Sequence, residues 1–236
     1  MFSSARASQG ARAFFPPAFQ SRHWSAEQEE PMILRELVLT YRPTRDAHDR
    51  PIVTDETLRL ESIIGDLLDL ARLEGGGVAF ERESVPVEWL FGRVAERHGT
   101  VLREKRIALD IQIAPNTQAV TGDVRRLEQA LQNLAANAVR HTPVDGRVTL
   151  SAEAIDDQVR LRVRDTGPGI PAEHLPLIFD RFYKVDMARD HGSSGSGLGL
   201  SIVKAIVEGH GGTITASSPP EGGAAFEIML ESGHHQ

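Results

Sequence analysis

The chain has 236 residues, 40% hydrophobic and 25% charged, enough to bury one substantial core with room for a smaller appendage. Its formal charge of −7 includes no strongly basic block, which argues against nucleic acid as a partner while leaving room for a local nucleotide site. The absence of cysteine excludes disulfides and thiolate metal sites and fits a reducing, cytoplasmic setting, and no apolar run reaches the roughly 18 residues that a membrane span needs.

Residues 1–53 resist organisation. "ARAFFPPAF" is broken by paired prolines, and "MILRELVLTY" is hemmed in by Pro31 and Pro43, so no domain is assigned there. A long helix is predicted over 54–76, with Thr54 as its cap, Asp55 and Glu56 at its positive end, and Gly75 to Gly77 as its stop. Leu60, Ile63, Ile64, Leu67, Leu68, Leu70 and Ala71 form a stripe broader than a two-helix seam, as in a bundle member or a helix packed on its own domain.

From residue 78 to 232 the hydrophobic period alternates. "VPVEWLFGRVAERHGTVLREK" and "DVRRLEQALQNLAANAVRH" read as helices. "RIALDIQI" reads as a strand, as do "RVTLSAEAI" and "QVRLRVRD", which an Asp-Asp turn joins. A helix over 198–209 and the strands "TITASS" and "AAFEIML" complete an α/β (α+β) two-layer sandwich. Its helices are expected on one face of a mixed, mostly antiparallel sheet.

The polar signals cluster in four places. Within the helix ending at His141, Val124, Leu127, Leu131, Leu134 and Ala138 make the apolar stripe, while Asn133 and Asn137 lie four apart on another face, followed by Arg140 and His141. Asparagine is a mediocre helix former, but its carbonyl suits a hard cation such as magnesium, and arginine suits phosphate; an ordinary polar face is the alternative. In "VRDTGPGIP" a strand ends at Asp165, beside Gly167 and Gly169. This is either a simple turn or a carboxylate placed for an exocyclic amine, with room for a flat base. "IFDRFYK" sets Phe179, Phe182 and Tyr183, by default core rings, beside Arg181 and Lys184. Finally, "HGSSGSGLGLSIVKAIVEGHGG" runs Gly195, Gly197, Leu198 and Gly199 into a helix. It is a flexible linker or a helix N-terminus opened to phosphate, and its spacing matches neither the dinucleotide fingerprint nor a P-loop.

In this order the four motifs resemble the ATP-binding catalytic domain of bacterial two-component sensor histidine kinases. "NLAANAVRHT" is similar to that family's N box, "DTGPGIP" to its first glycine box, "FDRFYK" to its phenylalanine box, and "GSGLGLSIVKAIVEGHGG" to its second glycine box. "RLESIIGDLLDLARLEGG" resembles the second helix of its dimerisation and phosphotransfer hairpin, so the likeness spans residues 54 to about 231. The resemblance implies a Bergerat fold and Mg2+-ATP as ligand. Asn137 would be the magnesium ligand, with Asn133 nearby, and Asn133, Asn137 and Arg140 would be the catalytic positions. The nucleotide would contact Asn137, Arg140, His141, Asp165, Gly167, Gly169, Lys184, Gly195, Gly197, Leu198 and Gly199, under a lid running from about 184 to 196. It also implies a response-regulator receiver domain as partner, a homodimer in an intact kinase, and a membrane anchor in full-length relatives.

One departure stands out. No His-Glu-x-Arg-x-Pro stretch precedes the long helix. "HDRP" from His48 to Pro51 lies too close to Thr54 to leave a first hairpin helix, and His23 in "SRHWS" has no such context. Residues 1–53 are therefore expected to be a divergent segment or the product of a wrong start or shifted frame, and the acceptor histidine to come from another chain. The alternatives are a regulatory module that binds nucleotide without transfer, and another Bergerat ATPase. Relatives of the second type place an acidic residue where this chain has Asn133.

Overall fold

The computed structural model describes residues 52–75, 79–185 and 196–233. The expectations for residues 1–51, including His23 and His48, and for most of the lid, including Gly195, lie outside the described residues. Apart from the first residues of the long helix, the elements form one compact unit, Asp55–Gln236. They are α1 (Ile52–Glu74), β1 (Glu83–Pro86), α2 (Val87–Glu104), β2 (Ala108–Ile113), β3 (Ala119–Gly122), α3 (Val124–His141), β4 (Arg147–Ile155), β5 (Gln158–Asp165), α4 (Gly199–Gly209), β6 (Thr213–Ser217) and β7 (Ala225–Glu231).

Five strands form one sheet in the order β2-β4-β5-β7-β6. Only β2 and β4 run parallel, with Leu109 opposite Val148; the other neighbours are antiparallel. Alternation sets the two faces. Val148, Leu150 and Ala152 of β4, Val159, Leu161 and Val163 of β5, and Phe226, Ile228 and Leu230 of β7 are buried. Their neighbours Arg160 and Arg162 point the other way and pair with Glu153 and Glu227. Beneath the apolar face lie α2, α3 and α4, so the sandwich has the expected two layers.

Helix α3 is the middle of the helical layer, touching both α2 and α4. Its buried set, Leu127, Ala130, Leu131, Gln132, Leu134, Ala135, Ala138 and Val139, is wider than the single stripe read from the sequence because neighbours cover it on several sides. Asp123 caps it, Oδ1 accepting from the amides of Arg125 and Arg126 at 3.0 and 3.1 Å.

Two short strands, β1 and β3, pair as an antiparallel ribbon with Val85 opposite Val120, and neither was predicted. Helix α1 begins at Ile52, so Thr54 lies inside it rather than capping it. Its apolar stripe is only partly used: Leu70 and Leu73 enter the core, while Leu60, Ile64 and Leu67 are exposed, as is Ala71.

His210 closes the end of α4 onto the start of α3. Its Nδ1 donates to the Ile206 carbonyl at 2.7 Å and its Nε2 accepts from the Asp123 amide at 2.9 Å, an arrangement that needs the neutral ring. Burial holds this imidazole below its ordinary pKa, with Arg82 acting in the same direction and the Ile206 carbonyl and Asp123 opposing it. Because the unfolded ring takes up a proton that the folded ring refuses, stability is full above the unfolded value of about 6.5 and falls as pH drops below it. Thermal melts between pH 8 and pH 5.5 should show this decline, and His210→Gln should flatten it while lowering the melting temperature at pH 8. An equal slope in the variant would assign the pH dependence to other groups.

Candidate functional site

The four motif segments converge where α3 ends, β5 ends and α4 begins. Asp165 closes β5 and is 4% exposed. Its Oδ1 accepts from the Gly167 amide at 2.8 Å and from the Ala224 amide at 3.2 Å. Both bonds fall on one oxygen, and Oδ2 accepts no hydrogen bond from a described residue. Burial raises the pKa of this carboxyl, and the Gly167 and Ala224 amides offset that rise.

The loop around Asp165 is built by close backbone approach. Gly223 has φ +81, and a Cβ there would stand 1.9 Å from the Asp165 carbonyl oxygen. A Cβ on Gly167 would stand 2.6 Å from the His141 carbonyl oxygen, which shows how tightly the loop abuts the end of α3. Gly169 sits beside Ser218, whose Oγ accepts from the Ile170 amide at 2.7 Å and donates to the Gly223 carbonyl at 3.1 Å. Sequence reasoning missed Gly223 and Ser218. The paired glycines of "EGGAA" were the available signal.

On α3, Asn133 donates from Nδ2 to the Gly199 carbonyl at 3.3 Å, joining the helix to the start of α4. The half-buried Asn137 makes no side-chain hydrogen bond to a described residue, so its carbonyl is free for a hard cation. Arg140 is exposed and forms no ion pair with a described residue, and the same holds for Lys184. His141 retains solvent contact, yet its surroundings first and Arg140 second hold its imidazole below its ordinary pKa, with Asp165 pulling the other way. No group of three or more His, Asp or Glu side chains suited to a metal occurs among the described residues.

The aromatic segment and the second glycine segment lock together. The Phe182 amide donates to the Gly197 carbonyl at 2.9 Å, and both residues have positive φ, +62 and +77. A Cβ on Gly197 would lie 2.9 Å from Phe182 backbone atoms. Phe179 packs edge-on against Phe226, but Phe182 is 55% exposed, so the expectation of a core ring fails there. Its left-handed backbone turns the side chain outward. Leu198 is buried beneath α4 and supports the loop rather than lining its surface. Of the predicted residues, Gly195 alone lies outside the described residues.

Residues 122–234 match the family model for histidine kinase-, DNA gyrase B-, and HSP90-like ATPases. The solved structure of the mycobacterial sensor histidine kinase MprB aligns with 65% of this chain and 100% of that chain, at 34% identity and a TM-score of 0.57. The chain belongs to the sensor histidine kinase family. Full-length ShkA, solved in complex with AMPPNP, is 32% identical with a TM-score of 0.70, covering 86% of this chain and 42% of that one. The sensor protein SrrB of Staphylococcus aureus is 36% identical over 182 residues, 76% of this chain. The chain spans 30% of the length of that relative.

Together these make the fold the Bergerat sandwich of histidine kinase catalytic domains. Gly223→Ala should strain the Asp165 loop twice, through the clash and through positive φ, at a cost of about 2 kcal/mol or more. Urea unfolding should show a lower midpoint, and an unchanged midpoint would mean that this contact is slack.

Proposed function

We propose that the chain is the ATP-binding catalytic part of a sensor histidine kinase, which binds Mg-ATP and transfers its γ-phosphoryl group to a histidine outside residues 1–236. The carrying observation is Asp165, a buried carboxylate with one oxygen engaged by two amides and the other left to an amine. That oxygen accepts from the adenine amine, and the glycines beside it admit the base. Asn137 holds magnesium, which when bound neutralises and orients the phosphates. Arg140, His141 and Lys184 face the phosphates, and the start of α4 offers the Gly197 and Gly199 backbone amides to them, while the Leu198 amide is engaged by Ser196 Oγ at 3.2 Å. Transfer needs mainly this positioning and charge neutralisation.

The receiver domain of a response regulator is the downstream partner, and an intact kinase is a homodimer working in the cytoplasm. Among the described residues no helix is long and apolar enough to cross a membrane. A water-activating ATPase of the gyrase or HSP90 kind is disfavoured. The position where such enzymes use an acid is Asn133, whose amide group is spent on the Gly199 carbonyl.

Calorimetry with a nonhydrolysable ATP analogue and magnesium should show saturable binding. Asp165→Ala should weaken it by about 1.5 to 3 kcal/mol, the scale of a hydrogen bond to a charged group. Unchanged affinity would make Asp165 a turn residue only. Supplied with a two-helix hairpin carrying an acceptor histidine, the chain should transfer labelled γ-phosphate to it in acid-labile form, and Asn137→Ala should abolish this. Acid-labile label on the isolated chain would show an acceptor within it. Label on neither protein despite proven binding would favour a regulatory nucleotide-binding module.

A further inference from the structure

The last turn of α3 carries Arg140 and His141 and abuts the Asp165 loop through the His141 carbonyl. Like every helix end it leaves carbonyls without intrahelical partners. Ala138 is served twice, by the Thr142 amide at 2.9 Å and by Thr142 Oγ1 at 2.6 Å. Val139 and Arg140 are served from outside. Lys105, the C-cap of α2, sends its ammonium across to the Val139 carbonyl at 2.8 Å and the Arg140 carbonyl at 3.3 Å. Val139 is 6% exposed and its bond to Lys105 is partly buried, whereas the bond to the Arg140 carbonyl is open to solvent.

The anchor is itself held. The Lys105 carbonyl accepts from the Asp145 amide at 3.2 Å, and Asp145 makes a two-pronged pair with the adjacent Arg106 at 2.6 and 2.8 Å. The backbone on both sides of α3's exit is thereby fixed to the segment that leads into β4. A cation at this end also opposes the negative pole of the helix.

We propose that Lys105 is a positioning residue of the nucleotide site: by capping α3 from behind, it sets where Asn137, Arg140 and His141 stand relative to Asp165. The proposal rests on the reading of this cleft as the ATP site. Lys105 does not touch the nucleotide. Its effect falls on the phosphate end, because the base is gripped by Asp165 on β5, while the residues facing the phosphates ride on the turn that Lys105 holds.

The test compares the full chain with Lys105→Met and Lys105→Arg by calorimetry with AMPPNP and with AMP, in magnesium, after thermal melts confirm folding. Lys105→Met should weaken AMPPNP binding by about tenfold, the scale of a lost charged cap to helix-end carbonyls. Its effect on AMP should be markedly smaller, and Lys105→Arg should recover most of the loss. If Lys105→Met does not fold, Lys105→Gln, which keeps a donor without the charge, takes its place. Parent-like AMPPNP affinity in the folded neutral variant would overturn the proposal. So would equal losses for AMP and AMPPNP, or no recovery with arginine. Failure of the parent chain itself to bind AMPPNP would overturn the reading of the cleft, and the role of Lys105 with it.

Discussion

Helix α3 is the one element whose position everything else at the site inherits, and it is fixed at both ends by directional polar contacts. At its start Asp123 caps the first amides, while the Asp123 amide is consumed by His210 from the end of α4. At its finish, Thr142 and Lys105 take the carbonyls. Between these pins its sides are filled by leucines and alanines, which would tolerate sliding along the axis far better than they tolerate exposure. Apolar packing is non-directional, so it holds the helix in its layer, whereas the directional bonds at the two ends set its axial register. Register matters because Asn133 and Asn137 lie one turn apart, and Asn133 has to reach the Gly199 carbonyl. A slip of one residue would rotate both away.

The same division of labour explains Asp165. A carboxylate this buried is costly, and the rise in its pKa records that cost. Two amides reduce the penalty, and they do so on one oxygen only. That asymmetry requires Gly167 and Ala224 to approach from the same side, and hence requires the stretch before β7 to press against the end of β5. Gly223 is what permits the approach. The ligand-facing oxygen therefore depends on a hairpin that contributes no ligand-facing side chain in this reading.

This dependence also marks what the sequence could disclose. Long periodic segments declared themselves: α3, β4, β5 and α4 fall within a residue or two of expectation, because each carries enough apolar positions to define a period. The ribbon of β1 and β3 did not, since four residues with one or two inward side chains leave no period to detect. Asn133, Asn137, Asp165 and the glycines of both boxes were legible as residue types unusual for their elements. Lys105, Ser218, Gly223 and His210 were not. A lysine at a helix end, a serine after a strand, a paired glycine in a turn and a histidine between glycines are each ordinary locally. Their roles exist only after distant segments meet. Phe182 shows the opposite error: an aromatic within a cluster of rings is expected in the core, but its backbone is left-handed and its side chain lies in solvent.

Helix α1 can be weighed by the same magnitudes. It meets the domain through Leu70 and Leu73 in the core, an ion pair of Glu74 with Arg181, Asp69 accepting from Gln129 at 3.0 Å, and Asp66 accepting from Ser196 Oγ at 3.1 Å. Exposed ion pairs contribute at most about 1 kcal/mol each, whereas a fully buried leucine contributes about 1.5 to 3 kcal/mol. The two leucines therefore hold the helix, and the polar contacts choose its rotation. Ser196 adds a link of another kind, because its hydroxyl also accepts from the Leu198 amide at 3.2 Å. The carboxylate of α1, the hydroxyl and the backbone that opens α4 thus form one chain of hydrogen bonds. Burial raises the Asp66 pKa, Asp69 acts in the same direction, and the Ser196 bond partly offsets that rise. The orientation of α1 and the backbone that opens α4 are thereby linked through Ser196.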